Sequence, residues 1–131
     1  MSDDATVQQI LNESKTIAVV GISHKQERAS YKVAKFLMEK GYTVIPVNPK
    51  YQELLGQTCY ATLEDIPVPV DMVDCFRRSE DIPPIAESAI KIGAKVLWMQ
   101  LGVVNEEAAQ MAEAAGLKVV MDKCPKMEYR G

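Results

Sequence analysis

The chain has 131 residues, of which 47% are hydrophobic, and a formal net charge of -3 at pH 7. This length predicts one domain spanning residues 1–131 with a single buried core. The charge argues against non-specific nucleic-acid binding, which needs a positive surface field. No apolar run approaches the roughly 20 residues that a membrane helix needs. With no secretion segment and three cysteines lacking close spacing, we expect a cytoplasmic protein with reduced thiols.

The N-terminal third of the chain predicts a helix, a strand and a second helix. Apolar residues at helical spacing favour a leading helix over residues 3–13. The apolar run 17–20 is typical of a strand buried on both faces. Gly21 then opens a polar loop that runs to Ser30, the predicted N-cap of a helix ending at Gly41.

The rest of the chain alternates between strand and helix patterns. A second strand is predicted over 42–47, where Pro46 cannot donate a ladder hydrogen bond. Residues 48–69 have a broken pattern with one helical turn near 62–66. The later elements are a strand at 70–76, a helix from about 81 to 93, a strand at 95–99, a helix capped by Asn105 and a strand at 117–121.

Five strands joined by right-handed crossovers predict an α/β fold. It is a single Rossmann-like, doubly wound parallel sheet of order 3-2-1-4-5 with an extra N-terminal helix. Ligands of such sheets bind outside the carboxyl ends of the strands. The loops predicted at this edge carry many of the polar residues: Ser23, Lys25, Arg28, Ser30, Asn48, Lys50, Arg77 and Gln100.

The first loop differs from the dinucleotide fingerprint. G-x-G-x-x-G is absent, since no second glycine follows Gly21, and no acid follows the second strand to bind ribose hydroxyls. Lys50 at that place suits a phosphate. Coenzyme A (CoA) carries a ribose 3'-phosphate and a pyrophosphate, which Lys50 and Arg28 would match. NADP also has an extra ribose phosphate and stays open on this argument.

Several segments together resemble one known family. They are residues 21–23, 28–35, 41–49, 73–77, 97–102 and 121–125. This combination resembles the small stand-alone CoA-binding-domain proteins of bacteria and archaea. Those proteins are similar to the N-terminal CoA-binding domain of the succinyl-CoA synthetase α subunit. The chain departs from the pattern at Ala29, where the family often has proline, and it lacks the synthetase's glycine-rich loop.

The resemblance implies a CoA or acyl-CoA site at this edge of the sheet. It implies phosphate contacts from Gly21, Ser23, Arg28 and Ser30. It implies that Val47, Asn48 and Pro49 border the adenosine, and that Phe76, Arg77, Gln100 and Gly102 line the groove. Ile22 and Tyr31 of the first loop and Lys50 complete the candidate set.

The sequence shows no self-contained catalytic constellation and no metal site. The synthetase passes phosphate through a histidine in a second domain, whereas this chain has His24 alone, interpreted as a solvent-facing loop residue. Asp71 and Asp74 are predicted to end or edge a strand, and Cys75 and Trp98 to lie in the core. We therefore expect a non-catalytic CoA-binding module.

Two alternative functions stay open, as do the oligomeric state and the role of Cys124. The chain could instead be an NAD(P)-binding Rossmann protein, or a CoA-ligase-type subunit whose partner chain supplies catalysis. A homodimer is also compatible with the sequence. Cys124, flanked by Lys123 and Lys126, is either an ordinary structural thiol or one that forms a mixed disulfide with CoA.

Overall fold

A five-stranded parallel sheet forms the centre of the computed structural model, which describes residues 3–131. The strands are β1 (Thr16–Val20), β2 (Thr43–Val47), β3 (Glu53–Leu54), β4 (Gln57–Thr58), β5 (Met72–Cys75), β6 (Val96–Met99) and β7 (Lys118–Val120). The helices are α1 (Asp4–Glu13), α2 (Ala29–Glu39), α3 (Ile82–Lys91), α4 (Glu106–Ala114) and α5 (Pro125–Glu128). Within the described range, no helix combines the length and apolar character needed to span a membrane. The α/β class, the parallel sheet and the extra N-terminal helix are as predicted.

The strand order differs from the prediction. The sheet runs β2-β1-β5-β6-β7, so the five predicted strands follow the order 2-1-3-4-5, and 3-2-1-4-5 is wrong. The physical reason lies in Pro46, whose carbonyl accepts from Tyr60 N at 3.0 Å on the side away from β1. The missing N–H of Pro46 lies on that same side, so β2 is suited to the edge of the sheet. The winding direction therefore reverses between β1 and β5.

Each face of the sheet carries its own helices. One face packs against α3 and α4, whose small residues, such as Ala86 and Ala108, are fully buried. The other face packs against α1 and α2 through residues such as Ile10 and Leu37. All three cysteines are buried free thiols. This two-sided burial explains the unbroken apolar sequence of β1.

Some element boundaries also differ from the sequence pattern. α2 begins at Ala29 with Arg28 as its N-cap residue, so Ser30 lies in the first turn and is not the cap. Asn105 caps α4 as predicted, accepting from Ala108 N at 2.8 Å. The β3–β4 hairpin, which stands outside the main sheet, was not predicted. Its strands have two residues each, which is too short for an alternating pattern to be visible.

Asp71 links the segments that lead into β1 and β6 at the amino end of the sheet. Its carboxylate accepts from Lys15 N at 2.9 Å and Thr16 N at 3.0 Å, and lies 3.6 Å from Lys95 Nζ. Burial opposes ionisation, but these donors and the lysine outweigh it and lower the pKa of the Asp71 carboxyl. The ionised form therefore contributes stability that is present above the unfolded pKa and is lost as pH falls.

We expect Asp71→Asn to reduce the free energy of unfolding at pH 7 by about 1–3 kcal/mol, because it weakens hydrogen bonds to a charged acceptor. The loss should shrink as pH falls through the carboxyl pKa. Urea unfolding of the wild type and Asp71→Asn at pH 7 and pH 3 measures the loss of stability and its decrease at low pH. Asp65→Asn, at an exposed carboxylate bonded to the exposed Thr62, is the control. Equal losses at the two pH values would contradict this role for Asp71.

Candidate functional site at the carboxyl end of the sheet

Gly21 stands where the loops after three neighbouring strands meet. Its N–H donates to Val47 O at 2.9 Å, at the end of β2. A Cβ atom at Gly21 would lie 2.4 Å from Phe76 O and 2.8 Å from Arg77 Cδ, in the loop after β5. Its φ angle is +83°, which side chains of L-residues rarely adopt. Both the close approach and the backbone conformation therefore require glycine.

The loop between β1 and α2 folds over the start of the helix. Ser23 N donates to Ser30 Oγ at 2.9 Å, and Lys25 N donates to Ser23 Oγ at 3.1 Å. Arg28, the N-cap residue, makes no side-chain cap hydrogen bond and is exposed. The first-turn N–H groups of a helix have no acceptor within the helix, and they attract anions together with the helix dipole. This end of α2 can therefore hold a phosphate.

Asn48 links the loops after β1 and β2. It is 8% exposed, donates from Nδ2 to Ile22 O at 2.9 Å, and accepts from Lys50 N at 2.9 Å. A second link joins His24 Nδ1 and the Tyr51 hydroxyl, 2.7 Å apart. His24 is exposed as predicted, but this partner was not foreseen. These contacts hold the two loops in a fixed relation.

Two grooves lie beside this junction, and Arg77 lines both. The large groove has a volume of about 810 Å³ and is lined by Ala29, Lys32, Val33, Phe76, Arg77, Arg78, Asp81, Gln100, Leu101, Val103, Cys124, Lys126 and Met127. The small groove has a volume of about 370 Å³ and is lined by Val20, Gly21, Val47, Pro49, Ala61, Thr62, Leu63, Glu64, Arg77, Pro84, Ile85 and Ser88.

The predicted site residues divide into three groups. Those that line a groove are Phe76, Arg77 and Gln100 in the large one, and Gly21, Val47, Pro49 and Arg77 in the small one. Those whose side chains are buried in the framework are Ile22, Ser30 and Asn48, with Ser23 and Tyr31 half-buried. Those exposed outside the two linings are Arg28, Lys50 and Gly102. A ligand would contact the framework residues mainly through their backbone atoms, because their side chains are buried or half-buried.

Several groove residues were not predicted from the sequence. Lys32 belongs to the helical pattern of α2, which gave no reason to separate it from the other surface lysines. Lys126 and Met127 come from α5, a helix of four residues that no periodicity reveals. The position of Lys32 in the first turn of a helix that follows a Gly-led loop was the available signal for a ligand-facing cation.

The large groove is positive although the chain is negative. Four cations line it, namely Lys32, Arg77, Arg78 and Lys126, against one carboxylate, Asp81. Asp81 lies 3.6 Å from Arg78. The remaining lining is largely apolar. Such a groove suits a ligand that combines anionic groups with an apolar or amide-bearing chain.

Asp74 lies within β5, two residues before Phe76, which lines the large groove. It is fully buried and stands between Val19 and Trp98 in the ladder, so the prediction that it ends or edges the strand is wrong. Trp98 and Cys75 are core residues as predicted. Burial raises the pKa of the Asp74 carboxyl well above its usual range. Burial, together with the Asp74 charge, also raises the pKa of the Cys75 thiol.

This raised pKa makes folding stability depend on pH. The folded chain retains the Asp74 proton where the unfolded chain has lost it, so the stability is fully present below the unfolded pKa and falls as pH rises. We expect the wild type to lose up to about 1.4 kcal/mol per pH unit above pH 4 relative to Asp74→Asn. Urea unfolding of both proteins from pH 4 to pH 7 tests this, and parallel stability profiles would contradict it.

Known proteins resemble this chain over most of its length. A family described as a CoA binding domain matches residues 15–130. An uncharacterized protein of Bacillus subtilis, YneT, is 45% identical over 95% of this chain and 93% of its own length. A hypothetical protein from Pyrococcus horikoshii has a solved structure with a TM-score of 0.94 and 44% identity, covering 97% of this chain and 89% of that one.

A longer relative is an enzyme. The acetate–CoA ligase (ADP-forming) I of Archaeoglobus fulgidus is 29% identical over 84% of this chain, which spans only 18% of the ligase. The match therefore covers one part of a much larger protein. From the family match over residues 15–130 and the shared fold, the chain belongs to the CoA-binding domain family.

Proposed function

We propose that the chain binds CoA or acyl-CoA as a non-catalytic module at the carboxyl end of its sheet. The observation that carries the proposal is the junction at Gly21, which is in close contact with Phe76 and Arg77. Gly21 lines the small groove, Arg77 lines both grooves, and the large groove includes Ala29 and Lys32 at the N-terminus of α2. The pyrophosphate would lie at this junction, facing the first-turn N–H groups of α2 and the Arg77 guanidinium. The family and its ligase relative support CoA as the ligand.

The two grooves suggest how the rest of the ligand would lie. The small groove has apolar walls that include Val47, Pro49 and Leu63, which suits adenosine. Lys50, exposed in the same loop, would meet the ribose 3'-phosphate. The large groove is lined by residues that follow β5 and β6 and would take the pantetheine arm.

Calorimetric titration with CoA, dephospho-CoA, NADP and NAD tests this proposal. CoA should bind well below millimolar concentration, and dephospho-CoA about 3- to 10-fold more weakly, since it lacks the phosphate that Lys50 would meet. In Lys50→Met that difference should disappear. Lys91→Met, at the far end of α3, is the control and should retain it. Absence of heat with CoA at millimolar concentration would overturn the proposal, and tighter binding of NADP would favour the dinucleotide alternative.

A second candidate is a ligase-type subunit that requires a partner chain. The observation that favours it is the ligase relative, of which this chain matches 18%. Leu101 and Met127 at the mouth of the large groove are 53% and 71% exposed, so apolar surface is available beside the ligand. Co-purification with a chain that confers acid–CoA ligase activity would support this candidate. A CoA-bound chain that purifies without a partner chain and shows no acid–CoA ligase activity with any chain added to it would oppose this candidate.

A further inference from the structure

Two polar side chains near the large groove have buried oxygen atoms without hydrogen-bond partners. Across the described residues, 3–131, the buried side-chain atoms without a partner are Asp74 Oδ1, Asp74 Oδ2 and Gln100 Oε1. Asp74 is fully buried and Gln100 is 5% exposed. Buried polar groups of folded proteins are nearly always hydrogen-bonded, because an unmade bond in the interior costs free energy. These atoms therefore require a physical explanation.

The strand register places the two side chains on one face of the sheet. Asp74 lies opposite Trp98 in the β5–β6 ladder, and Gln100 follows Trp98 by two residues. Because side chains alternate between faces, Gln100 continues on the side of Trp98 and Asp74. Strand spacing and rise put the Cα atoms of Asp74 and Gln100 about 8 Å apart. Their extended side chains and one hydrogen bond can span that distance.

The hydrogen-bonding needs of the two groups are complementary. A neutral carboxyl has one O–H donor, and a glutamine Oε1 is an acceptor. Burial without a cation partner favours the neutral form of Asp74. Gln100 Oε1 is the buried end of its amide, whereas the residue lines the large groove. An acceptor held inward leaves the amide N–H group for whatever occupies the groove.

We propose that Asp74, as a neutral acid, donates a hydrogen bond to Gln100 Oε1, and that this directs the Gln100 N–H group into the large groove to bind a carbonyl oxygen of the pantetheine arm. This inference rests on the proposed CoA binding. Asp74 is thus a positioning residue that acts through Gln100. In the proposed function the phosphates lie near the loop after β1, whereas Gln100 follows β6, two strands away, so Gln100 would contact the arm and not the nucleotide.

Binding measurements with matched variants test the inference. Asp74→Asn keeps an N–H donor for Gln100 Oε1 and should bind CoA within about twofold of the wild type. Asp74→Leu and Gln100→Leu should each weaken CoA about tenfold, and the double variant should be no weaker than Gln100→Leu. Adenosine 3',5'-bisphosphate, which lacks the arm, should bind all variants equally. Wild-type affinity for CoA in Asp74→Leu, or multiplied effects in the double variant, would overturn the inference.

An infrared spectrum provides a readout that does not depend on the ligand. The wild type at pH 7 should show the C=O stretch of a protonated carboxyl, which Asp74→Asn abolishes and Gln100→Leu shifts. Absence of that band would overturn the inference even if Asp74→Leu fails to fold. Absence of CoA binding by the wild type would overturn both the proposed function and the contact between Gln100 and the pantetheine carbonyl. Unchanged CoA affinity in both leucine variants would overturn this inference alone.

Discussion

Replacing Gly21 with alanine should unfold the protein or reduce its stability by several kcal/mol. Two costs combine at this position. The φ angle of +83° adds left-handed strain of about 1–2 kcal/mol, and the new Cβ would stand 2.4 Å from the Phe76 carbonyl oxygen. The backbone is held at both ends of that contact, since Gly21 N donates to Val47 O and Phe76 N donates to Val20 O, each at 2.9 Å. Neither side can therefore move without straining one of these hydrogen bonds.

Gly93→Ala is the matched control for Gly21→Ala. Gly93 has a φ angle of +75° and nothing within 4 Å of an added Cβ, so it incurs the strain without the clash. Urea unfolding at pH 7 should show a loss of about 1–2 kcal/mol for Gly93→Ala and a clearly larger one for Gly21→Ala. Similar losses in the two variants would show that the close contact at the junction is not tight.

Reversing the charge of Arg77 should have the largest effect on ligand binding. Arg77 lines both grooves, and in the proposed site its guanidinium is the bidentate phosphate donor. We expect Arg77→Glu to weaken CoA on the order of 100-fold, since it removes a charge-assisted contact and adds repulsion. The CoA affinity of Arg77→Lys, which keeps the charge but loses the planar two-donor geometry of the guanidinium, should fall between those of the wild type and Arg77→Glu. Titration calorimetry at about 0.1 M salt measures the CoA affinity of the wild type and of both variants.

Lys118→Glu makes the same charge change at the opposite end of the sheet and serves as the control. Lys118 is exposed at the start of β7, and its replacement should alter CoA affinity by less than about threefold, because screening at 0.1 M salt limits surface charges to about 10 Å. Equal losses for Arg77→Glu and Lys118→Glu would indicate a general effect of net charge and not a contact at the site.

The elements of the fold could be predicted because each has a local cause. The apolar run of β1 and the stripe of α2 identify those elements without reference to the rest of the chain. The strand order depends on non-local pairing, and there the prediction failed. Pro46 was recognised as a weak point in β2, yet its consequence, an edge position for β2, follows only once the outer side of the strand is considered.

The position of the candidate site could be predicted from the sequence, but its full set of lining residues could not. Loops after parallel strands meet at one edge whatever the strand order, so Gly21, Phe76, Arg77 and Gln100 were placed together correctly. Lys126 joins them from a four-residue helix after the last strand, which has no periodic pattern. Asp74 was misjudged because a carboxylate within a strand normally marks an edge. Its full burial depends on packing from both neighbouring strands.

An amide NMR titration with CoA is the sharpest test of ligand binding at the carboxyl end of the sheet, because it reports both whether the ligand binds and where. We expect saturable shifts in the loops after β1, β2, β5 and β6, including Gly21, Arg77 and Gln100, with the signals of Lys15, Asp71 and Lys95 at the amino end unmoved. Shifts gathered at the amino end of the sheet, or none at millimolar CoA, would contradict ligand binding at the carboxyl end.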